Sequence, residues 1–326
     1  MRRPLFGALA AAVALILALT GCAAAPAASS ESAGGTVSVT HARGTLDAPA
    51  NPAKIVVIDH ASLDTIKTLG FADRVVGTPK RGLPSSLENF ATDAVTDVGT
   101  LQEPDVEKIA ELNPDVIVIG GRTAPKYDEL AKLAPTLDMS TASEKPVEEL
   151  RERAVALGRL LGAEDKAVAE ADAVAKLADE TKALATGGVQ GGQGGQGAGK
   201  ALILLTTGGK VSAYGPGARF GSVIHDTLGV PAAAPNLKKD RHGQAVSFEF
   251  IAQTNPDRLF VIDRDAAIGQ QGKSAQQVLD NPLVAGTNAW KNKQVTYLDG
   301  GEWYAVGSGL TTMRSMIENV RGALSS

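Results

Sequence analysis

The sequence predicts an α/β protein of two lobes, each a parallel sheet covered on both faces, joined by one long helix. Three observations lead there. Short β-branched runs at 55–58 (IVVI), 116–119 (VIVI) and 259–262 (LFVI) alternate with segments of helical spacing, and unbroken apolar strands belong to sheets buried on both sides. The stretch 164–184 contains neither Gly nor Pro, so nothing interrupts a helix there. The pattern helix, Asn-Pro-Asp, strand, Arg occurs twice, as LNPDVIVIGGR and TNPDRLFVIDR. Length agrees, since 326 residues make two units at roughly 150 residues each.

In chain order, the basic start Met1-Arg2-Arg3 and the uncharged run 5–19 form a signal peptide, 1–21. The run is too short for a bilayer span, which takes about 20 residues. It ends in Leu19-Thr20-Gly21-Cys22, which resembles the cleavage and lipidation signal of bacterial lipoproteins and marks Cys22 for acylation. Residues 22–35 are a tether of small, polar and Pro residues. The first lobe, 36–162, carries strands at 36–40, 55–58, 75–76 and 116–119. Its helices fall at 61–69, ending at Gly70, at 105–112, closed by Asn113-Pro114, and at 127–133. A helical stretch over 147–184 divides at Gly162, and its second part is the linking helix, 163–186. Residues 187–199 are glycine-rich surface loop without chemistry. The second lobe, 200–326, repeats the alternation. It has strands at 201–205, 259–262 and 295–298, and helices at 220–228, 247–253, 275–279 and 310–324.

Composition narrows the function. At 44% hydrophobic and 21% charged the chain is neither disordered nor polytopic in a membrane. A net charge of −4 without basic runs argues against a nucleic-acid partner. One cysteine excludes an internal disulfide, a thiol redox pair and a zinc ribbon. No G-x-G-x-x-G follows the first strand and no G-x-S-x-G elbow occurs, so nothing points to an enzyme. Four scattered histidines are poor material for free Zn²⁺ or Mn²⁺.

The stretches SAYGPGARFG (212–221), HGQAVSFEF (242–250), NPDRLFVIDRDAAIG (255–269) and EWYAVGSGL (302–310) are joined in the first half by EPDVEKIAELNPDVIVIGGR and YDELAKLAPT. In order and spacing they resemble the substrate-binding lipoproteins of bacterial importers for ferric catecholate siderophores of the petrobactin and enterobactin type, over 37–324. The resemblance implies the class III periplasmic-binding-protein fold, two Rossmann-like lobes on a single long helix. It implies a monomer outside the cytoplasm, lipid-anchored to the outer face of the cell membrane, with no intrinsic cofactor. Its partners would be the ferric siderophore and an ABC permease with its ATPase.

By the same resemblance Arg122, Arg219 and Arg264 line the cleft. Arginine stays protonated and offers a planar fork to the oxygens of a ferric complex of charge about −3. His242 and Tyr304 would bind Fe(III) directly where the ligand leaves two positions open. Glu88 and Asp226 would dock on permease arginines. Lys80 and Arg81 add positive charge near the mouth, and His60 is the other histidine placed to reach the cleft. Ala218 stands where the family often has Ser, which leaves the exact siderophore open. Another iron chelate, haem or cobalamin on the same fold is the alternative.

Overall fold

The computed structural model describes residues 35–187, 197–240 and 242–325. The signal peptide, Cys22, the tether before Gly35 and residues 188–196 of the glycine-rich loop lie outside them. The first described element is an antiparallel hairpin, β1 (Thr36–His41) with β2 (Gly44–Pro49). Then come β3 (Ile55–Ile58), α1 (His60–Leu69), β4 (Val75–Thr78), β5 (Thr96–Asp97), α2 (Val106–Leu112), β6 (Val116–Ile119), α3 (Tyr127–Leu130) and β7 (Thr136–Asp138). The strands after the hairpin form a fully parallel sheet of order β5-β4-β3-β6-β7. β3 and β6 are buried at every position, which is why their sequences show no polar alternation.

Two helices follow. α4 (Pro146–Leu161) ends at Gly162 in left-handed backbone, and α5 (Glu164–Ala185) is the long helix expected from the Gly- and Pro-free stretch.

The second half comprises β8 (Ala201–Thr207), β9 (Lys210–Tyr214), a π-helical turn at Ser222–Thr227, β10 (Gln244–Val246), α6 (Phe248–Thr254) and β11 (Arg258–Asp263). After them stand α7 (Arg264–Ala267), α8 (Ala275–Leu279), α9 (Pro282–Ala285), α10 (Asn288–Lys291), β12 (Val295–Leu298), a second π-helical turn at Gly301–Val306 and α11 (Leu310–Leu324). The sheet order is β10-β9-β8-β11-β12. β8, β11 and β12 are parallel, but β9 and β10 run antiparallel to their neighbours. This corrects the expectation of an all-parallel sheet. Gly208 and Gly209 both take positive φ, 54° and 73°, which two-residue hairpin turns require. The helix expected over 220–228 is the first π turn, and that over 127–133 shortens to α3.

The repeated Asn-Pro-Asp does the same work in both halves. Asn113 and Asn255 end α2 and α6 in left-handed backbone. The next aspartate holds the start of the neighbouring strand. Asp115 accepts from the Ala53 and Lys54 amides ahead of β3, each at 2.8 Å, and Asp257 accepts from Lys200 N ahead of β8 at 3.0 Å.

The largest apolar core is continuous from one sheet to the other through Leu157, Ala171, Val174, Met313, Met316 and Ile317 on α4, α5 and α11. α11 returns to the first half. The Asp64 carboxylate on α1 accepts from Thr311 N at 2.9 Å and Thr312 N at 3.2 Å, capping α11. Arg314 and Arg321 tie the same helix to Glu170 and Glu180 of α5.

Candidate functional site

Arg122 stands just past β6 and Arg264 directly past β11, the carboxyl ends of parallel strands where α/β sheets place ligands. Arg219 sits on the loop between β9 and the first π turn. That loop closes tightly, and a Cβ at Gly221 would collide with the Gly215 carbonyl.

All three arginines meet at Tyr304 of the second π turn. Arg122 donates through Nη2 to the Tyr304 carbonyl at 2.9 Å and through Nη1 to the Ala305 carbonyl at 3.3 Å. Arg219 donates to the same Tyr304 carbonyl at 2.5 Å, and Arg264 Nε donates to the Tyr304 hydroxyl at 2.9 Å. Their guanidinium carbons lie 4.8 Å (Arg219), 5.4 Å (Arg264) and 5.9 Å (Arg122) from the Tyr304 ring centre. The ring face attracts all three guanidinium groups.

Each arginine has its own anchor. Beside Arg122, buried Thr123 donates to the carbonyls of Ile58 (3.0 Å) and Leu101 (2.6 Å). Arg43 reaches the Ala124 carbonyl at 2.8 Å while paired with Asp138 at 2.9 Å. Arg264 Nη1 donates to Thr207 Oγ1 at 3.2 Å, and that hydroxyl donates to Asp265 at 3.0 Å. The Arg219 loop is held by Asp226, which accepts from Gly217 N at 2.6 Å.

A cavity of about 540 Å³ opens between the halves, with Arg122, Arg153, Arg219, Trp303 and Met316 among its walls. Beneath Arg219 lies an aromatic stack. Tyr214 and Phe220 have ring centres 4.6 Å apart, and Phe220 meets the edge of Trp303 at 6.5 Å. Burial pushes the Tyr214 phenol up to about 12, so it stays neutral. Arg153 joins the halves, pairing with Asp59 at 2.9 Å and donating to the Ser308 hydroxyl at 2.7 Å. Sequence reasoning missed Tyr214, Arg153, Thr207 and Asp265. Tyr214 lay inside the quoted SAYGPGARFG and Asp265 inside NPDRLFVIDRDAAIG, but Arg153 and Thr207 carry no local signature.

The other expected residues scatter. His242 is exposed on the turn before β10, where its amide donates to Asp240 at 2.7 Å, and its imidazole is outside the Tyr304 hydrogen-bond network. His60 lies beside Asp59 and Arg122, but its ring is buried, and burial lowers its pKa to about 4. Lys80 is turned to the Thr92 carbonyl at 2.9 Å, and Arg81 is exposed. Glu88 and Asp226 are exposed. Among the described residues no group of three or more His, Cys, Asp or Glu could hold a metal ion. No described helix is long and apolar enough to cross a membrane.

Residues 55–301 match the family described as periplasmic binding protein. The chain is 43% identical over 277 residues to the petrobactin-binding protein YclQ of Bacillus subtilis (strain 168), covering 85% of this chain and 84% of that one. It is 31% identical over 277 residues to the ferric-anguibactin-binding protein FatB of Vibrio anguillarum, with coverage of 82% and 81%. The crystal structure of YclQ superposes with a TM-score of 0.83 at 40% identity, covering 90% of this chain and 99% of that one. That of the periplasmic catecholate-siderophore binding protein VctP from Vibrio cholerae gives 0.79 at 30% identity, over 88% and 100%. With its two mostly parallel α/β sheets and this breadth of match, the chain belongs to the periplasmic binding protein family, in its class III fold.

Proposed function

We propose that the chain is the extracytoplasmic binding protein of an ABC importer, which captures a ferric siderophore of the catecholate type and delivers it to the permease for iron uptake. The observation that carries this is the convergence of Arg122, Arg219 and Arg264, from both halves, on Tyr304. Guanidinium groups already held in place by carbonyls and hydroxyls need little reordering to receive an anion, which lowers the entropic cost of binding. Three fixed forks also favour planar, oxygen-rich chelators over neutral ones. The names of the relatives support the siderophore reading, since YclQ binds petrobactin, FatB ferric anguibactin and VctP a catecholate siderophore. They favour it over the haem or cobalamin alternative.

On this reading the Tyr304 hydroxyl, with His242 brought in from its exposed turn, completes the iron's coordination when the chelator leaves two positions open. The lobes are 36–162 and 200–326 on the linking helix 163–186. The mature monomer is anchored by lipid on Cys22 through the tether. Glu88 and Asp226 face the permease, Asp226 while also holding Gly217. Its work is affinity without turnover.

The test is a titration of residues 23–326, reading Trp290 and Trp303 fluorescence. Ferric tris-catecholate or bis-catecholate complexes should quench it at submicromolar concentration. Binding of ferrioxamine or haem with both catecholates ignored would overturn the ligand class.

A further inference from the structure

We propose that a second cavity, on the second lobe beside Arg264, is a subsite for the uncharged, amide-bearing linker of an elongated chelate; this rests on the catecholate reading above. The cavity is an open recess of about 710 Å³ between the Gly208-Gly209 hairpin turn and the segment 270–281. That is well within the range of small-ligand sites, roughly 300–1,000 Å³. It shares no lining residue with the cavity between the halves.

Arg264 connects it to the arginine cluster. Its Nε faces the Tyr304 hydroxyl at 2.9 Å, and its Nη1 faces Thr207 Oγ1 at 3.2 Å. Thr207 and its partner Asp265 are both part of the cavity wall. An iron-bearing head seated on the arginines therefore has a second cavity one side chain away, reached across Thr207.

The chemistry of the wall differs from that of the cluster. Carboxamides are its commonest side chains, Gln270, Gln271, Gln277 and Asn281, the last two also accepting from Ser274 N and Leu283 N, and Phe248 and Val278 are its apolar members. A carboxamide both donates and accepts, so it pairs with a group that does the same, which is what an amide linkage is. The wall carries one cation, Lys273, and two anions, Asp265 and Asp280. Asp265 is engaged by Gly208 N at 2.6 Å, by Thr207 and, at 3.8 Å, by Arg264 Nη1. Such a wall has no preference for an anionic iron centre but offers hydrogen bonds to a polar chain. Lys273 makes no ion pair, and the Gln270 and Gln271 side chains make no hydrogen bond among the described residues, so these groups are available to a ligand.

The experiment compares the ferric complexes of two bis-catecholamides with the same iron-binding head, one with an ethylene linker and one with a longer chain bearing two further amides. Native protein should bind the long probe more tightly. Gln271→Trp, which fills the cavity, and the pair Gln270→Ala with Lys273→Ala, which strips donors, should each weaken the long probe about tenfold and leave the short one unchanged. Equal loss for both probes, no loss for either, or no native preference for the long probe would overturn the subsite. Arg264→Ala is the control on the underlying reading. It should weaken both probes, and unchanged binding of both would refute the arginine account instead. Circular dichroism of each variant separates these outcomes from misfolding.

Discussion

Replacing Arg122 by alanine removes the one arginine of the cluster that comes from the first half. The Tyr304 ring marks the cluster's centre, and the Arg122 guanidinium carbon lies 5.9 Å from it. A complex of charge about −3 packed against the cluster at a comparable distance, about 6 Å from that guanidinium, would attract a unit charge by about 2 kcal/mol with the full screening of bulk water. The site is half-buried and screens less, while salt screens more, so about 2 kcal/mol stands as the order of magnitude, a dissociation constant weakened about 30-fold. Arg122→Lys keeps the charge but loses the fork, so it should fall between native and alanine. The difference between native and alanine should shrink as salt rises, because part of it is long-range attraction. The same side chain ties the Tyr304 and Ala305 carbonyls to the first half. Its loss should therefore lower the melting temperature by a few degrees, about 1–2 kcal/mol. Fluorescence titration of native, lysine and alanine proteins with a ferric tris-catecholate, at two salt concentrations, reads all of this. An alanine variant that binds within threefold of native, with unchanged salt dependence, would refute the electrostatic reasoning.

Tyr304→Phe removes the hydroxyl that accepts from Arg264 and leaves the carbonyl that accepts from Arg122 and Arg219. Binding of a hexadentate chelate should change little, while the charge-transfer band of a bis-catecholate complex should no longer shift; a shift as large as native would remove direct ligation. Asp64 is held above the ordinary carboxylate range by burial, against the opposing pull of the Thr311 and Thr312 amides. Its folded-state pKa therefore exceeds its unfolded one, so its contribution is fully present below the unfolded value and is lost as pH rises through the folded value. Asp64→Asn removes a contribution that opposes acid unfolding, so it should steepen the acid limb of the stability–pH curve measured by urea unfolding, and an unaltered limb would show that Asp64 does not titrate there.

The buried strands were legible because β3, β6 and β11 have no solvent face to encode. The echo LNPDVIVIGGR and TNPDRLFVIDR was legible for a deeper reason. Asn113 and Asn255 cap helices, Asp115 and Asp257 pin the next strand, and Arg122 and Arg264 stand where the strand ends. A motif made of local geometry survives in sequence. The antiparallel β9–β10 edge was hidden, although the Gly208-Gly209 turn announced a hairpin, because the apolar run before it reads equally well as one more parallel strand. The arginine cluster could be named from the resemblance, but its meeting point on the Tyr304 carbonyl could not. That contact joins residues more than 80 positions apart through a π turn whose spacing resembles an ordinary helix. Arg153 acts through Asp59 and Ser308, more than 90 positions away, and Thr207 through Arg264 and Asp265, more than 50 away.

The uninterrupted apolar interior shared by α4, α5 and α11 limits what the molecule can do when it loads. Swinging the halves apart like a clamshell would tear close-packed side chains from one another, at a cost no single ligand contact repays. Cargo must therefore enter and leave through a mouth of nearly constant shape. On the catecholate reading, what changes on loading is its charge, as a trianion neutralises three guanidinium groups. A transporter that tells a full carrier from an empty one would then be sensing neutralised charge and a tilt of small amplitude rather than a wide closure.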